Sequence, residues 1–293
     1  MDTILADLLQ HLIYGIIAGA MYVLMAVGFS LVWGIMGLLN FSHGEFYMLG
    51  GYATYYLFTF FNINPFVSVF LAIAILFLFG SIIFSTAIFP IIKKPNWHNN
   101  AIILTLGIGI CLQNIALLVF GERYKGMPGF FEATLRFWGV VIGADRLMIL
   151  LIGLTLILAL LVFVKKTTTG LSIQALSQDK NAALLMGIHI KRVYTVTFGV
   201  SVALAGAAGG LLAPLYFIYP TVGFTPILMA FAVVILGGLG SVKGAIYAGF
   251  LTGIIESFTI LFLSAVWKDI IIFSLIIIIL TLKPAGLFGI KEP

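Results

Sequence analysis

Apolar segments longer than about 18 residues recur along this chain of 293 residues, and each is long enough to cross a bilayer as an α-helix. Their apolar residues are continuous rather than alternating, which excludes a transmembrane β-barrel. Only 9% of the residues are charged, against about 25% in soluble domains, so a water-exposed surface could not be covered. The sequence therefore predicts an all-α, polytopic membrane protein that forms a single domain over residues 1–293.

Eight or nine membrane spans are predicted, and the count depends on whether the short apolar segment at 227–239 crosses or re-enters. The second span is broken at its start, because polar residues and a glycine interrupt the apolar run. Two prolines at 216–226 predict an external turn or a re-entrant segment. The expected spans are 12–35, 37–61, 65–90, 101–120, 147–164, 193–214, 227–239, 245–263 and 270–282.

Lysine and arginine residues predict which segments share one side of the membrane. If the loops at 93–100 and 165–192, Lys243 and the C-terminal tail lie together, that side holds ten of the 15 basic residues. Cytoplasmic segments are enriched in these residues, so the N-terminus is expected outside and the C-terminus in the cytoplasm. The basic residues are scattered and form no aromatic-interleaved patch, so the expected surface partner is membrane lipid and not nucleic acid.

Polar residues at the broken second span are candidates for a substrate pathway. Asn40, Ser42, His43 and Glu45 stand where the helix should begin, and ionisable side chains are costly in lipid unless they face protein or a cavity. A half-helix start there would present free N–H groups to a solute. The alternative is that these residues cap a helix in the interface.

Three further polar residues lie deeper in the apolar runs. Gln113 and Asn114 in the fourth span could hold substrate, although such amides more often bond across helices. Glu256 is the most isolated acid, and either a buried pair or a pathway would explain it.

The sequence carries no nucleotide-binding, catalytic or metal-binding motif. The glycine-rich stretch at 237–244 has its lysine at the wrong spacing for a phosphate-binding loop, and a zinc-protease motif, a nucleophile elbow and paired cysteines are absent. The chain is therefore expected to be neither an enzyme nor the holder of a metal or cofactor. If ATP drives it, another chain must hydrolyse the nucleotide.

The longest polar interruption is the segment Lys165–Arg192, which has five basic residues, one acid and a centre with helical apolar spacing. Its sequence NAALLMG resembles the E-A-A-x-x-x-G signature of ABC-importer permeases, with Asn181 in place of the glutamate. In that family the motif forms a coupling helix that sits in a groove of the ATPase. The resemblance implies one coupling helix over 169–186, with contacts from Lys180, Asn181, Ala182, Ala183 and Gly187.

Three longer stretches extend the resemblance over about residues 8–290: GLLNFSHGEFYMLGGY, GIHIKRVYTVTFGVSVALAGAAGGLLAP and GGLGSVKGAIYAGFLTGIIES. They resemble the branched-chain amino-acid ABC transporter permeases, and the H-type subunit of the leucine/isoleucine/valine system more than its M-type partner. The resemblance implies a place in a bacterial inner membrane, a second permease subunit (M-type or a second copy), and a periplasmic solute-binding protein. It also implies two cytoplasmic ATPases, which would bind the ATP and magnesium.

Two other functions stay open at this point. Urea, amide and sugar permeases share much of the pattern, so the family is better defined than the substrate. A secondary transporter or channel could use His43, Glu45 or Glu256 for proton coupling, but it would have no need for a helix that mates with an ATPase.

Overall fold

The computed structural model describes residues 2–131, 133–137 and 139–289. Those residues form helices joined by short loops, together with one β-hairpin, and the all-α membrane fold is confirmed. The helices are α1 (Asp2–Met36), α2 (His43–Phe61), α3 (Pro65–Ile83), α4 (Phe89–Ile92), α5 (Trp97–Phe120), α6 (Ala144–Lys166), α7 (Thr168–Gln178), α8 (Lys180–Leu185), α9 (Ile190–Leu212), α10 (Phe224–Gly237), α11 (Val242–Phe262) and α12 (Trp267–Leu282).

The hairpin lies between the predicted spans 101–120 and 147–164, where no strand was predicted. Strands β1 (Thr134–Phe137) and β2 (Val140–Gly143) pair antiparallel, with Gly139 in the turn at a φ of +79°. Val140 and Ile142 are buried, and the Tyr14 hydroxyl of α1 donates to the Val141 carbonyl at 3.3 Å. The β-branched residues after the glycine were the available signal for a strand.

Contacts between the long helices define two sides of the bundle. Helix α1 runs antiparallel to α11, since Gly15 meets Ile254 and Gly34 meets Gly240. It is also antiparallel to α9, where the Tyr194 hydroxyl donates to the Ile35 carbonyl at 3.3 Å. We call the end of α1 at Met36 the loop side, because the segment 165–192 lies there, and the opposite end the hairpin side.

The chain passes between these sides nine times within the described residues, by α1, α2, α3–α4, α5, α6, α9, α10, α11 and α12. Six of these passes are long and apolar enough to span a bilayer by themselves, and α10, at 14 residues, is shorter. Helices α3 and α4 form one pass through a π-helical turn at Phe84–Ile88. Helix α12 begins at Trp267, three residues before the predicted span 270–282, so residues 267–269 are helical and not part of a loop between spans.

Two of the passes are only partly helical. After Gly37, whose φ of +63° ends α1, residues 37–42 return beside α1 in irregular conformation, and α2 starts at His43. The His43 ring contacts the Met25 carbonyl, eleven residues before the end of α1, which is about 16 Å inside the bundle. The broken second span is therefore confirmed.

The α10 pass is broken in the same way. Residues 213–223 descend from the hairpin side as turns, and α10 starts at Phe224. The backbones of Gly223 and Gly44 touch, so α2 and α10 begin at one depth and run in opposite directions. We call this contact the helix-start junction. The short segment at 227–239 is thus the helical half of a broken crossing.

Candidate functional site

Asn40 organises the start of α2. Its Oδ1 accepts hydrogen bonds from the Ser42 backbone N–H at 3.1 Å and from the Ser42 hydroxyl at 2.6 Å. Ser42 is the N-cap residue, but its side chain makes no capping bond to the helix. The irregular backbone before α2 is instead hydrogen-bonded by Thr105 of α5, whose hydroxyl accepts from the Phe41 N–H at 3.3 Å. Backbone groups freed by a break are thus satisfied by protein, as the membrane interior requires.

His43 is fully buried and held by α1. Its Nε2 donates to the Met25 carbonyl at 3.1 Å, and its ring lies edge-on to Phe29 with the centroids 5.7 Å apart. A carbonyl oxygen can only accept, so Nε2 carries the proton and Nδ1 is the acceptor atom. Nδ1 has no partner among the described residues. His43 therefore anchors the α2 start to α1 and leaves one acceptor free.

Glu45 lies in the first turn of α2 and faces α5. Its Oε2 is buried without a hydrogen-bond partner among the described residues, and Gly109 of α5 lies beside its side chain. An acidic residue in a first turn interacts favourably with the helix dipole. The buried, unpaired oxygen leaves Glu45 free to bind a solute or an ion, as do the unpaired Nδ1 of His43 and Nδ2 of Asn40 among the described residues.

The two amides of α5 do not join this group. Gln113 is half-buried, and exposed Asn114 donates from its side-chain nitrogen to the Ile110 carbonyl of its own helix at 2.7 Å. Glu256 lies elsewhere again, on α11. The seven predicted pathway residues thus occupy three separate places.

A cavity of about 360 Å³ opens toward the hairpin side and holds Glu256 in its wall. Exposed Tyr124, Tyr216 and Phe217 stand at its mouth, and buried Met21 and Met229 lie deeper inside. Residues of the first turn of α10 also line it, so the cavity reaches down to the helix-start junction.

Glu256 is 7% exposed and is bonded through both carboxylate oxygens. The Lys268 ammonium of α12 donates to Oε1 at 2.8 Å, and the Tyr22 hydroxyl of α1 donates to Oε2 at 2.5 Å. Neither partner of Glu256 was predicted from the sequence. Lys268 stood in a predicted loop, although a lysine that opens the helix after a buried acid is within reach of it across a helical hairpin.

The segment 165–192 contains two helices, so the expected single helix over 169–186 is wrong. Asp179 breaks it: this residue ends α7, and its Oδ1 accepts from the N–H groups of Asn181 and Ala182 at 2.8 and 3.0 Å to start α8. Aspartate is a favoured N-cap and in this conformation ends the preceding helix.

Helix α8 ends as the motif predicts. Gly187 has a φ of +79°, its N–H donates to the Leu184 carbonyl at 3.0 Å, and the Ile188 N–H donates to the Ala183 carbonyl at 3.1 Å. This is a Schellman motif, in which glycine fits the left-handed position.

The exposed surface of α8 is apolar at its tip. Leu185 is 89% exposed and Met186 82%, although both lie in the polar segment. The motif residues Lys180, Asn181, Ala182 and Gly187 are also exposed, whereas Ala183 is buried and supports the packing of α8.

Helix α7 is fixed to the end of α6. The Thr167 hydroxyl donates to the Phe163 carbonyl at 2.7 Å and accepts from the Gly170 N–H at 3.0 Å, and the Gln174 amide donates to the Val164 carbonyl at 2.6 Å. A Cβ on Gly170 would collide with the backbone of α6. The two helices therefore meet at a closely bonded corner.

Broken helices that begin inside a bundle, beneath a cavity open to one side, are typical of membrane transport proteins. The fold and the sites thus define a polytopic, helical transport protein of the membrane.

The chain belongs to the family described as "Branched-chain amino acid transport system / permease component", whose profile matches residues 11–280. It is 32% identical to the high-affinity branched-chain amino acid transport system permease protein LivH of Salmonella typhimurium, over 97% of this chain and 96% of the relative. The permease protein BraD of Pseudomonas aeruginosa is 31% identical, with the same coverage. The permease protein LivM of Escherichia coli is 26% identical, over 93% of this chain and 68% of the relative. The predicted family and the H-type similarity are confirmed.

Proposed function

We propose that this chain is the H-type permease subunit of an ATP-driven importer for branched-chain amino acids. The observation that carries the proposal is the similarity to LivH and BraD along nearly the whole length of both chains, since both names specify branched-chain amino acid transport. A pathway for leucine, isoleucine or valine needs apolar walls with a few polar groups for the zwitterion. The cavity beside Glu256 and the helix-start junction offer that combination.

The partners follow from the two ends of the bundle. On the loop side, the apolar tip of α8 suits a groove in a cytoplasmic ATPase subunit, two copies of which would bind ATP and magnesium. On the hairpin side, β1–β2 and the turns at 213–223 suit a periplasmic solute-binding protein. A second permease chain of LivM type would complete the pathway, which leaves this chain without a catalytic role of its own.

We also propose an orientation of the chain in a bacterial inner membrane. The loops at 93–100 and 165–192, Lys243 and Lys283 all lie on the loop side, and Lys268 with the 121–146 segment lies on the hairpin side. The richer share of basic residues on the loop side supports its proposed position in the cytoplasm.

Uptake into proteoliposomes tests the substrate. With the ATPases, the second permease and the binding protein reconstituted, we expect ATP-dependent uptake of labelled leucine that unlabelled isoleucine and valine inhibit. Urea and ribose at the same concentrations should leave the uptake unchanged. Inhibition by urea or ribose but not by valine would contradict the proposed substrate, and uptake without ATP would favour a secondary transporter.

Replacing Glu45 with alanine should reduce leucine uptake by about tenfold or more while the complex still assembles. The unpaired carboxylate oxygen offers a charge-assisted hydrogen bond, worth about 1.5–3 kcal/mol, that alanine cannot make. Uptake rates and co-purification are measured in parallel, with exposed Glu122→Ala as the matched control. Wild-type uptake by Glu45→Ala would show that Glu45 only caps α2.

A further inference from the structure

We propose that Glu256, Lys268 and Tyr22 form a binding site for the charged end of a free α-amino acid within this single permease chain. The inference rests on the proposed function, and it adds a place and a chemical class of ligand: a zwitterion with an aliphatic side chain. The cavity beside these residues would hold the ligand on its way from the hairpin side to the helix-start junction.

The bonding capacity of the group is only partly used. The Lys268 ammonium has three N–H donors, and one of them goes to Glu256. The Glu256 carboxylate has about four acceptor positions, of which Lys268 and Tyr22 occupy two. A ligand ammonium can therefore bind Glu256 and a ligand carboxylate can bind Lys268 without separating the pair that already exists.

The charges of the site select for a zwitterion. Glu256 and Lys268 carry one negative and one positive charge 2.8 Å apart, and Asp269, which follows Lys268 in the chain, adds a second carboxylate close to this pair. A ligand with a single charge would be repelled by the side chain that carries the same charge, and the repulsion is stronger because the site is partly desolvated. A ligand with both charges, set in the opposite order, is attracted by both. Uncharged solutes such as urea or a sugar gain no electrostatic attraction of this kind.

The remaining walls suit an aliphatic side chain. Met21, Met229, Val222 and Leu212 contribute apolar surface, and a volume of about 360 Å³ lies at the lower end of the range for small-molecule pockets, about 300–1,000 Å³. Methionine side chains adapt to differently branched neighbours, so leucine, isoleucine and valine can all be accommodated.

The deep end of the cavity adds a third polar element. Thr225 and Pro226, in the first turn of α10, line the cavity. Pro226 has no N–H and the Phe224 N–H donates to the Thr221 carbonyl at 3.2 Å, which leaves the Thr225 N–H in this turn, and a free N–H at a helix start favours negative charge. A carboxylate that leaves Lys268 therefore meets a second favourable position on the way to the helix-start junction.

Binding to the full-length chain in lipid nanodiscs tests the site with ligands that separate the two charges. The probes are labelled L-leucine, 4-methylpentanoate without the ammonium, and 3-methylbutylamine without the carboxylate. Equilibrium dialysis should show leucine binding that neither analogue displaces appreciably at a concentration equal to that of leucine, because each loses one charge-assisted contact and binds about tenfold more weakly or worse. Equal displacement by either analogue, or no leucine binding by the wild-type chain, would overturn the proposal.

The double variant Glu256→Gln/Lys268→Met separates binding from folding. A single substitution leaves one buried charge unpaired and destabilises the fold, whereas removal of both charges together is often tolerated. We expect the double variant to keep the wild-type melting temperature and to bind leucine about tenfold more weakly or worse. Tyr22→Phe should weaken binding by a few-fold, and exposed Glu122→Gln should bind normally.

Uptake by the assembled transporter distinguishes a failure of this binding site from a failure of the proposed function. Leucine uptake by the wild-type complex and an equal KM in the double variant would reject this site and leave the proposed function intact. Failure of the wild-type complex to take up any branched-chain amino acid would reject the proposed function itself. A raised KM in the double variant, at normal complex yield, supports both.

Discussion

Replacement of Gly50 with valine should prevent the bundle from folding stably. Gly50 of α2 faces Gly206 of α9, and even a Cβ at Gly50 would collide with the Gly206 backbone. Valine adds two further carbons at the same point. The two helices must then separate along their contact, where Gly209 also touches the Tyr47 backbone. Overpacking of this kind costs about 3 kcal/mol or more when the obstacle is backbone.

The melting temperature of the purified chain in detergent gives the measurement. A loss of about 3 kcal/mol corresponds to a fall of roughly 6 °C or more for a chain of this size. Gly107→Val is the matched control, since this helical glycine of α5 is exposed and a Cβ there meets nothing within 4 Å. Equal melting temperatures for the two variants would show that α2 and α9 do not pack as described.

Replacement of Leu185 with aspartate should abolish ATPase association and, with it, ATP-driven uptake. Leu185 is 89% exposed at the tip of α8 and does little for the stability of the isolated chain. A central apolar contact at an interface is worth about 2 kcal/mol or more, and a buried unpaired carboxylate adds a further penalty. Together they should weaken association by about thirtyfold or more.

Co-purification of the ATPase, together with the melting temperature of the permease, gives the measurement for Leu185→Asp. The control is Leu263→Asp at the hairpin-side end of α11, where the leucine is 59% exposed. That variant should retain the ATPase. Full retention by Leu185→Asp would show that the ATPase docks elsewhere.

The sequence predicted the helical passes well because hydrocarbon tolerates few alternatives to a helix. Breaks in those passes were visible as well, since Asn40–Glu45 and the prolines near 220 interrupt long apolar runs. The hairpin was missed because its ten residues sit in a mixed loop without strong alternation. The break at Asp179 was missed because an aspartate within a helical pattern is compatible with either a continuous helix or a cap.

Site residues were harder to place than helices. The pairing of Glu256 with Lys268 and Tyr22 joins three helices, and no local pattern shows which helices become neighbours. Asn114 and Glu45 are both polar residues in apolar runs of the sequence. In the structure Asn114 is exposed on the outside of the bundle, whereas Glu45 faces α5. The sequence allowed us to estimate how deep a polar residue lies in the membrane. The direction in which its side chain points around the helix axis depended on how the helices pack.

The hydrogen-bonded corner between α6 and α7 joins those two helices rigidly, so that they should move together and not bend at the connection. Any displacement of α7 must carry the end of α6 with it, because three hydrogen bonds and a glycine contact oppose bending at the corner. On the other side of the segment, α8 connects to α9 through Gly187 and His189, where the two Schellman hydrogen bonds and the contact of His189 Nδ1 with the Gly187 carbonyl at 3.1 Å are all local to the connection. We therefore expect a force applied at α8 to reach α6 through α7 and this corner.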